Sequence, residues 1–225
     1  MQTDTAAPPD ERVRVWDAPT RLFHWSLVAL VFVSWLSADQ GYMTVHLWSG
    51  LSLLALLLFR FGWGLMGSTT SRFSDFLHAP HKTLAYLRTM AGGGRVLHAG
   101  HNPAGGLMVV ALLAVLLAQV ATGLFANDSL RFSGPLALFV SDDASDGLTR
   151  IHGIAFDIIL VLVWLHVVAV GFHHFVKGDN LVGPMVSGKK QRAHVPEGAT
   201  IIFAHPALAL GLLAACAALA AWILF

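Results

Sequence analysis

Five stretches of this chain each run for about 20 residues with almost no charge: Leu22 to Ala38, Met43 to Met66, Pro103 to Phe125, His152 to Phe172 and Pro206 to Phe225. As helices, runs of that length match the hydrocarbon core of a bilayer, about 30 Å thick. Lipid leaves no water to satisfy backbone N–H and C=O groups, and long runs without alternating polarity satisfy them as helices rather than as barrel strands. The expected fold is therefore all-α, an integral membrane helical bundle. Composition agrees: 56% of the chain is hydrophobic against 12% charged. The first run differs from a cleaved leader, because Leu36 stands where cleavage after Ala38 would need a small residue. It is read as a retained helix.

Charge sets the expected orientation. Basic residues favour the cytoplasmic side, and all of the 14 Lys and Arg except Arg131 and Arg150 fall in or next to the N-terminal segment, the connection after the second run and the connection after the fourth. The N-terminus is expected in the cytoplasm and the C-terminus outside. The division that follows is a cytoplasmic segment 1–21, a four-helix core 22–177, a cytoplasmic linker 178–205 that reads as loop, and a fifth transmembrane helix 206–225. Between Ser71 and Met90, Phe73, Phe76, Leu77, Leu84, Tyr86 and Leu87 alternate with polar residues as in an interfacial helix, and Gly92-Gly93-Gly94 ends it. A net charge of +1 leaves no basic surface for nucleic acid. One cysteine, Cys216, excludes an internal disulfide, a thiolate-rich metal site and a C-x-x-C-H haem attachment.

Histidine is the enriched residue, with twelve copies. Polar groups inside lipid are expensive and mark function, and four histidines lie in or just inside apolar runs: His24, His46, His152 and His166. His152 and His166 are 14 residues apart, close to four turns, so they share a helix face about 21 Å apart along the axis. Helix 1, entering from the cytoplasm, brings His24 to the depth of His166. Helix 2, entering from outside, brings His46 to the depth of His152. Two imidazoles facing each other at each depth form an axial ligand set for haem iron, bound through Nε2 with Nδ1 oriented by an acceptor. Zinc or non-haem iron fits less well, since no carboxylate or thiol joins either pair. The competing reading is that each histidine is merely interfacial; the matched depths oppose it. Gly50, Gly105, Gly106, Gly123 and Gly153 offer room for a macrocycle, while Arg21 and Arg150 are candidate propionate partners. His173, seven residues beyond His166, is a candidate contact for quinone or propionate. His78, His81, His98 and His101 read as solvated or interfacial loop residues, and Asp157 as a relay or helix-bonding group.

Val15-Trp16-Asp17-Ala18-Pro19-Thr20-Arg21-Leu22-Phe23-His24-Trp25, followed by His46 and by the His152 and His166 pair, resembles the bacterial cytochrome b-561 and nickel-hydrogenase-type cytochrome b family over about Arg12 to Lys177. The resemblance implies two haems b on the four histidines, and quinone chemistry near the cytoplasmic haem with Asp17 and His173 as titratable groups. It also implies inner-membrane electron transfer between the quinone pool and a periplasmic partner, either a cytochrome c or a membrane-bound dehydrogenase subunit. A self-contained superoxide:quinone oxidoreductase is the alternative within that family. A non-haem anchor or transporter is the alternative outside it. The fifth helix exceeds the family's four-helix core. The 126–151 connection, with Asp128, Asp142, Asp143 and Asp146, is expected to be a loop that covers the outer haem and steers a basic partner.

Overall fold

The computed structural model describes residues 11–94, 96–128 and 132–224, so the first ten residues, Arg95, Ser129, Leu130, Arg131 and Phe225 lie outside the described residues. Asp17 starts the bundle: its Oδ1 accepts from the Thr20 N–H at 2.7 Å, capping α1 (Ala18–Asp39), and Pro19 in the first turn supplies a helical φ. Gly41, at φ 74°, makes the tight reversal into α2 (Met43–Met66), a left-handed conformation that a Cβ would penalise. Two amphipathic pieces follow, α3 (Phe73–Phe76) and α4 (Pro80–Ala91). As expected, α4 stops at the three glycines, where Gly93 takes φ 82°. Asn102 caps α5 (Pro103–Phe125), its side chain accepting from the Gly105 N–H at 2.7 Å.

The fourth long helix, α6, spans Asp142–Phe175 and starts ten residues before the expected His152. Ser141 accepts from the Ala144 N–H at 3.3 Å, and Asp142 and Asp143 complement the dipole of the first turn. Hence the acidic residues expected in a covering loop lie largely on a helix that projects beyond the apolar run. The linker is also more ordered than expected. It holds α7 (Val182–Ser187) and a strand, β2 (Lys189–Gln191), which pairs antiparallel with β1 (Arg12–Arg14) in the register Arg12 to Gln191, Val13 to Lys190 and Arg14 to Lys189. Val15, Trp16 and Val195 form a small core beneath this ribbon. Pairing between segments about 175 residues apart closes the N-terminal side of the bundle.

Among the described residues four helices, α1, α2, α5 and α6, are long and apolar enough to cross a membrane. Their packing is unequal. α1 lies along α2, α5 lies along α6, and α2 also meets α5. α2 is the central helix, with 56% of its apolar window buried against 17% for α1 and 11% for α6. Leu54, Leu57, Trp63, Leu113, Leu116 and Ile159 fill the shared core. Because lipid is as apolar as leucine, contact of this kind works through close packing rather than water exclusion. α1 and α6 belong to opposite helix pairs and stay largely exposed.

α8 (Pro206–Trp222) is a further apolar helix of 17 residues, packed along α2 through Ala209, Cys216 and Ala220. His205 caps it, Nδ1 accepting from the Ala207 N–H at 3.2 Å. Gly62 admits the Leu212 side chain, which a Cβ would meet at 2.9 Å.

Candidate functional site

Two facing imidazole pairs lie between the helix pairs. On the side away from the N-terminus, His46 of α2 and His152 of α6 have ring centroids 6.1 Å apart. On the N-terminal side, His24 of α1 and His166 of α6 are 6.5 Å apart. These are the pairings that depth matching predicts.

Hydrogen bonds define the protonation of the outer pair. His46 Nδ1 lies 2.8 Å from the Ser34 carbonyl, and His152 Nδ1 lies 2.8 Å from the Gln119 carbonyl. A carbonyl only accepts, so Nδ1 carries the proton in both rings and Nε2 presents a lone pair. That arrangement orients a histidine as a metal ligand. The Gln119 amide nitrogen stands 3.0 Å from His152 Nε2, donating where a metal would bind, while Gln119 Oε1 is buried without a hydrogen bond. Gly123 lies against the same ring: a Cβ there would be 2.8 Å from His152 Cε1. In the inner pair, His24 Nδ1 is buried without a hydrogen bond.

The donor set is informative. Among the described residues no three His, Cys, Asp or Glu gather at a metal-sized distance. Each site therefore offers two nitrogens, too few for a closed zinc site but sufficient for the axial positions of iron in a planar macrocycle. The spacing also fits: two metal–nitrogen bonds of about 2 Å, with each ring centroid about 1 Å behind its nitrogen, separate the centroids by about 6 Å.

The other sequence-predicted residues lie as follows. Arg21 donates through Nη1 to the Val186 carbonyl, and its Nε is buried without an acceptor. Arg150 is exposed on α6, two residues before His152. His173 is half-buried near the end of α6, beside Phe172. Asp17 is 2% exposed, and besides capping α1 it accepts from Trp63 Nε1 at 3.1 Å and Ser71 Oγ at 3.2 Å. Its carboxylate is thus engaged in joining α1 to the end of α2. Asp157 is exposed on the outer face of α6, away from both pairs. Of the candidate glycines, Gly123 abuts His152 and Gly106 abuts Phe76, whereas Gly50 and Gly153 face open space.

His101 departs from the expectation of a solvated loop residue. Its ring packs between Trp16, at 4.8 Å, and Phe76, at 4.7 Å, with Nδ1 buried and unpartnered. Burial, with added repulsion from Arg60, His166 and His24, pushes its pKa down to about 3. The residue immediately precedes the Asn102 cap and Pro103, so it belongs to a buried helix start. The adjacent N-cap signal is what distinguishes it from the other loop histidines. Ser34 and Gln119 escaped sequence reasoning because they act through backbone carbonyls, which every residue has.

An apolar helical bundle with two facing imidazole pairs fits a class, the membrane cytochromes of b type. Comparison with protein families narrows it: residues 15–188 match the family described as prokaryotic cytochrome b561, and the chain belongs to that family. It is accordingly a membrane haem b electron-transfer protein. No curated protein matches the chain.

Proposed function

We propose that the protein is a dihaem cytochrome b of the bacterial inner membrane, carrying electrons between a periplasmic redox partner and the quinone pool. The observation that carries this reading is the pair of facing imidazoles at each of two depths, 6.1 and 6.5 Å apart. His24 with His166 and His46 with His152 would hold the two haems through their imidazoles. Haem supplies one-electron chemistry when bound, and the protein supplies position, electrostatics and exclusion of water. Ser34 and Gln119, through their carbonyls, hold His46 and His152 with Nε2 toward the iron position. For that to happen the Gln119 amide swings off Nε2, which frees its unpartnered Oε1 to find a donor. Gly123 leaves the His152 ring its place.

The distribution of basic residues supports a cytoplasmic N-terminus, α4 and β1–β2 ribbon, with α8 proposed as a fifth crossing that brings the C-terminus to the periplasm. A helix of 17 residues is at the short end of what spans a bilayer. Arg21 and Arg150 lie beside the inner and outer pairs, suited to propionates. The quinone site is at the cytoplasmic mouth near His24, His166 and His173, where a half-buried imidazole meets an apolar surface for the tail. The test is substitution with spectroscopy. His166→Ala should abolish one haem spectrum and leave the haem on His46 and His152; retention of two unaltered haems refutes the pairing.

A further inference from the structure

Arg60 is a buried cation without an anion. It is 2% exposed on α2, its Nη1 is buried without a hydrogen bond, and among the described residues its guanidinium makes neither a hydrogen bond nor an ion pair. What holds it is aromatic: the guanidinium carbon lies 4.9 Å from the Phe73 ring centroid and 5.8 Å from that of Phe76. Gly64, one turn on, makes room for Phe73, since a Cβ there would be 2.1 Å from the ring. Asp17 is within electrostatic range, but its oxygens are engaged by Thr20, Trp63 and Ser71. An unpaired buried charge is strongly disfavoured, so this site is incomplete until an anion enters.

The position of Arg60 indicates which anion. It follows His46 by 14 residues, the same interval that separates His152 from His166. The central helix therefore places an iron ligand at one depth and a guanidinium at the other, on nearly the same face. His101, packed against Phe76, lies within electrostatic reach of Arg60, His24 and His166 together, and its Nδ1 also lacks a partner. His101 thus links the unsatisfied guanidinium, across Phe76, to the pair formed by His24 and His166. Guanidinium forks match carboxylates in geometry and charge.

We propose that Arg60, with His101 beside it, is the carboxylate seat of the inner haem, ion-pairing one propionate of the group held by His24 and His166. The inference rests on the dihaem reading. Arg21, whose Nε is also unpartnered, is left for the second propionate. A fixed positive charge at this position favours the reduced haem, so Arg60 sets the potential of one haem and leaves the other alone.

The test is a redox titration of the intact purified protein and of Arg60→Gln and Arg60→Lys, with infrared redox difference spectra on haem carrying 13C-labelled propionates. The inner haem is identified as the component missing from His166→Ala. Arg60→Gln should shift that component alone to lower potential and displace the labelled carboxylate bands. Arg60→Lys, which keeps the charge but not the fork, should restore most of the potential while leaving the bands displaced. Where the Arg60→Gln protein does not assemble, the lysine variant's bands carry the test. Unmoved potentials and bands overturn the proposal, as does an equal shift of both haems. A shifted potential with unmoved carboxylate bands also overturns it, because the charge would then act through space. An unsubstituted protein without two haems would instead refute the dihaem reading itself.

Discussion

Adding one methyl group at Gly123 should eject the outer haem. The Cβ of Gly123→Ala would lie 2.8 Å from His152 Cε1 and 3.1 Å from Nδ1. Ordinary carbon–carbon contact is about 3.5–4.0 Å, so the ring must retreat by about 0.7–1.2 Å. That retreat lengthens the 2.8 Å bond from Nδ1 to the Gln119 carbonyl beyond useful hydrogen-bonding distance. Overpacking costs about 1–3 kcal/mol, and the lost hydrogen bond adds about 1 kcal/mol. The ring also loses the anchor that directs Nε2. Pyridine haemochrome assay of the purified variant should find one haem per chain, held by His24 and His166. Gly211→Ala on α8, where no atom lies within 4 Å of the added Cβ, is the control and should keep the parent's haem content and stability. Two haems with the parent spectrum in Gly123→Ala would refute the argument, because His152 would then have tolerated the displacement without losing its ligand role.

Asp17→Ala removes a helix cap worth about 1 kcal/mol and strands the buried Trp63 donor at about 1–3 kcal/mol, while Ser71 keeps its bond to Thr20, so a marked fall in the thermal midpoint is expected by calorimetry. In the protein freed of haem, on which this prediction is measured, His101 titrates near 3 when folded and near 6.5 when unfolded. The unfolded state therefore binds the extra proton as pH falls below 6.5, and the stability difference between His101→Phe and parent should change by up to about 1.4 kcal/mol per pH unit, in the variant's favour, when denaturation is followed from pH 7 to 4.5. Replacing Asp142, Asp143 and Asp146 by Asn should slow electron entry from a basic soluble partner at low salt while leaving both haem spectra intact. A rate insensitive to salt would indicate a membrane-subunit partner.

How much of this was legible in the sequence follows the physics. The four long spans and both imidazole pairs could be read because bilayer thickness and helix pitch are external rulers, and His24, His46, His152 and His166 lie at fixed intervals along them. The early start of α6 was hidden because Ser141, Asp142 and Asp143 are as suitable for a loop as for a capped first turn. The β1–β2 ribbon escaped because three-residue strands carry almost no periodic signal, and their pairing depends on where the bundle places both segments. In the sequence Arg60 reads as one more charge near a span end, although its 14-residue interval from His46 is visible there. Its lack of an anion emerges only once Phe73 folds back over Gly64.

The central claim, two bis-histidine haems in one chain, is tested most directly by haem stoichiometry on the intact purified protein, combined with low-temperature electron paramagnetic resonance of the oxidised form. The account predicts two haems b per chain, both low-spin with two imidazole ligands. One haem, none, or a high-spin signal from an iron lacking a second imidazole would contradict it.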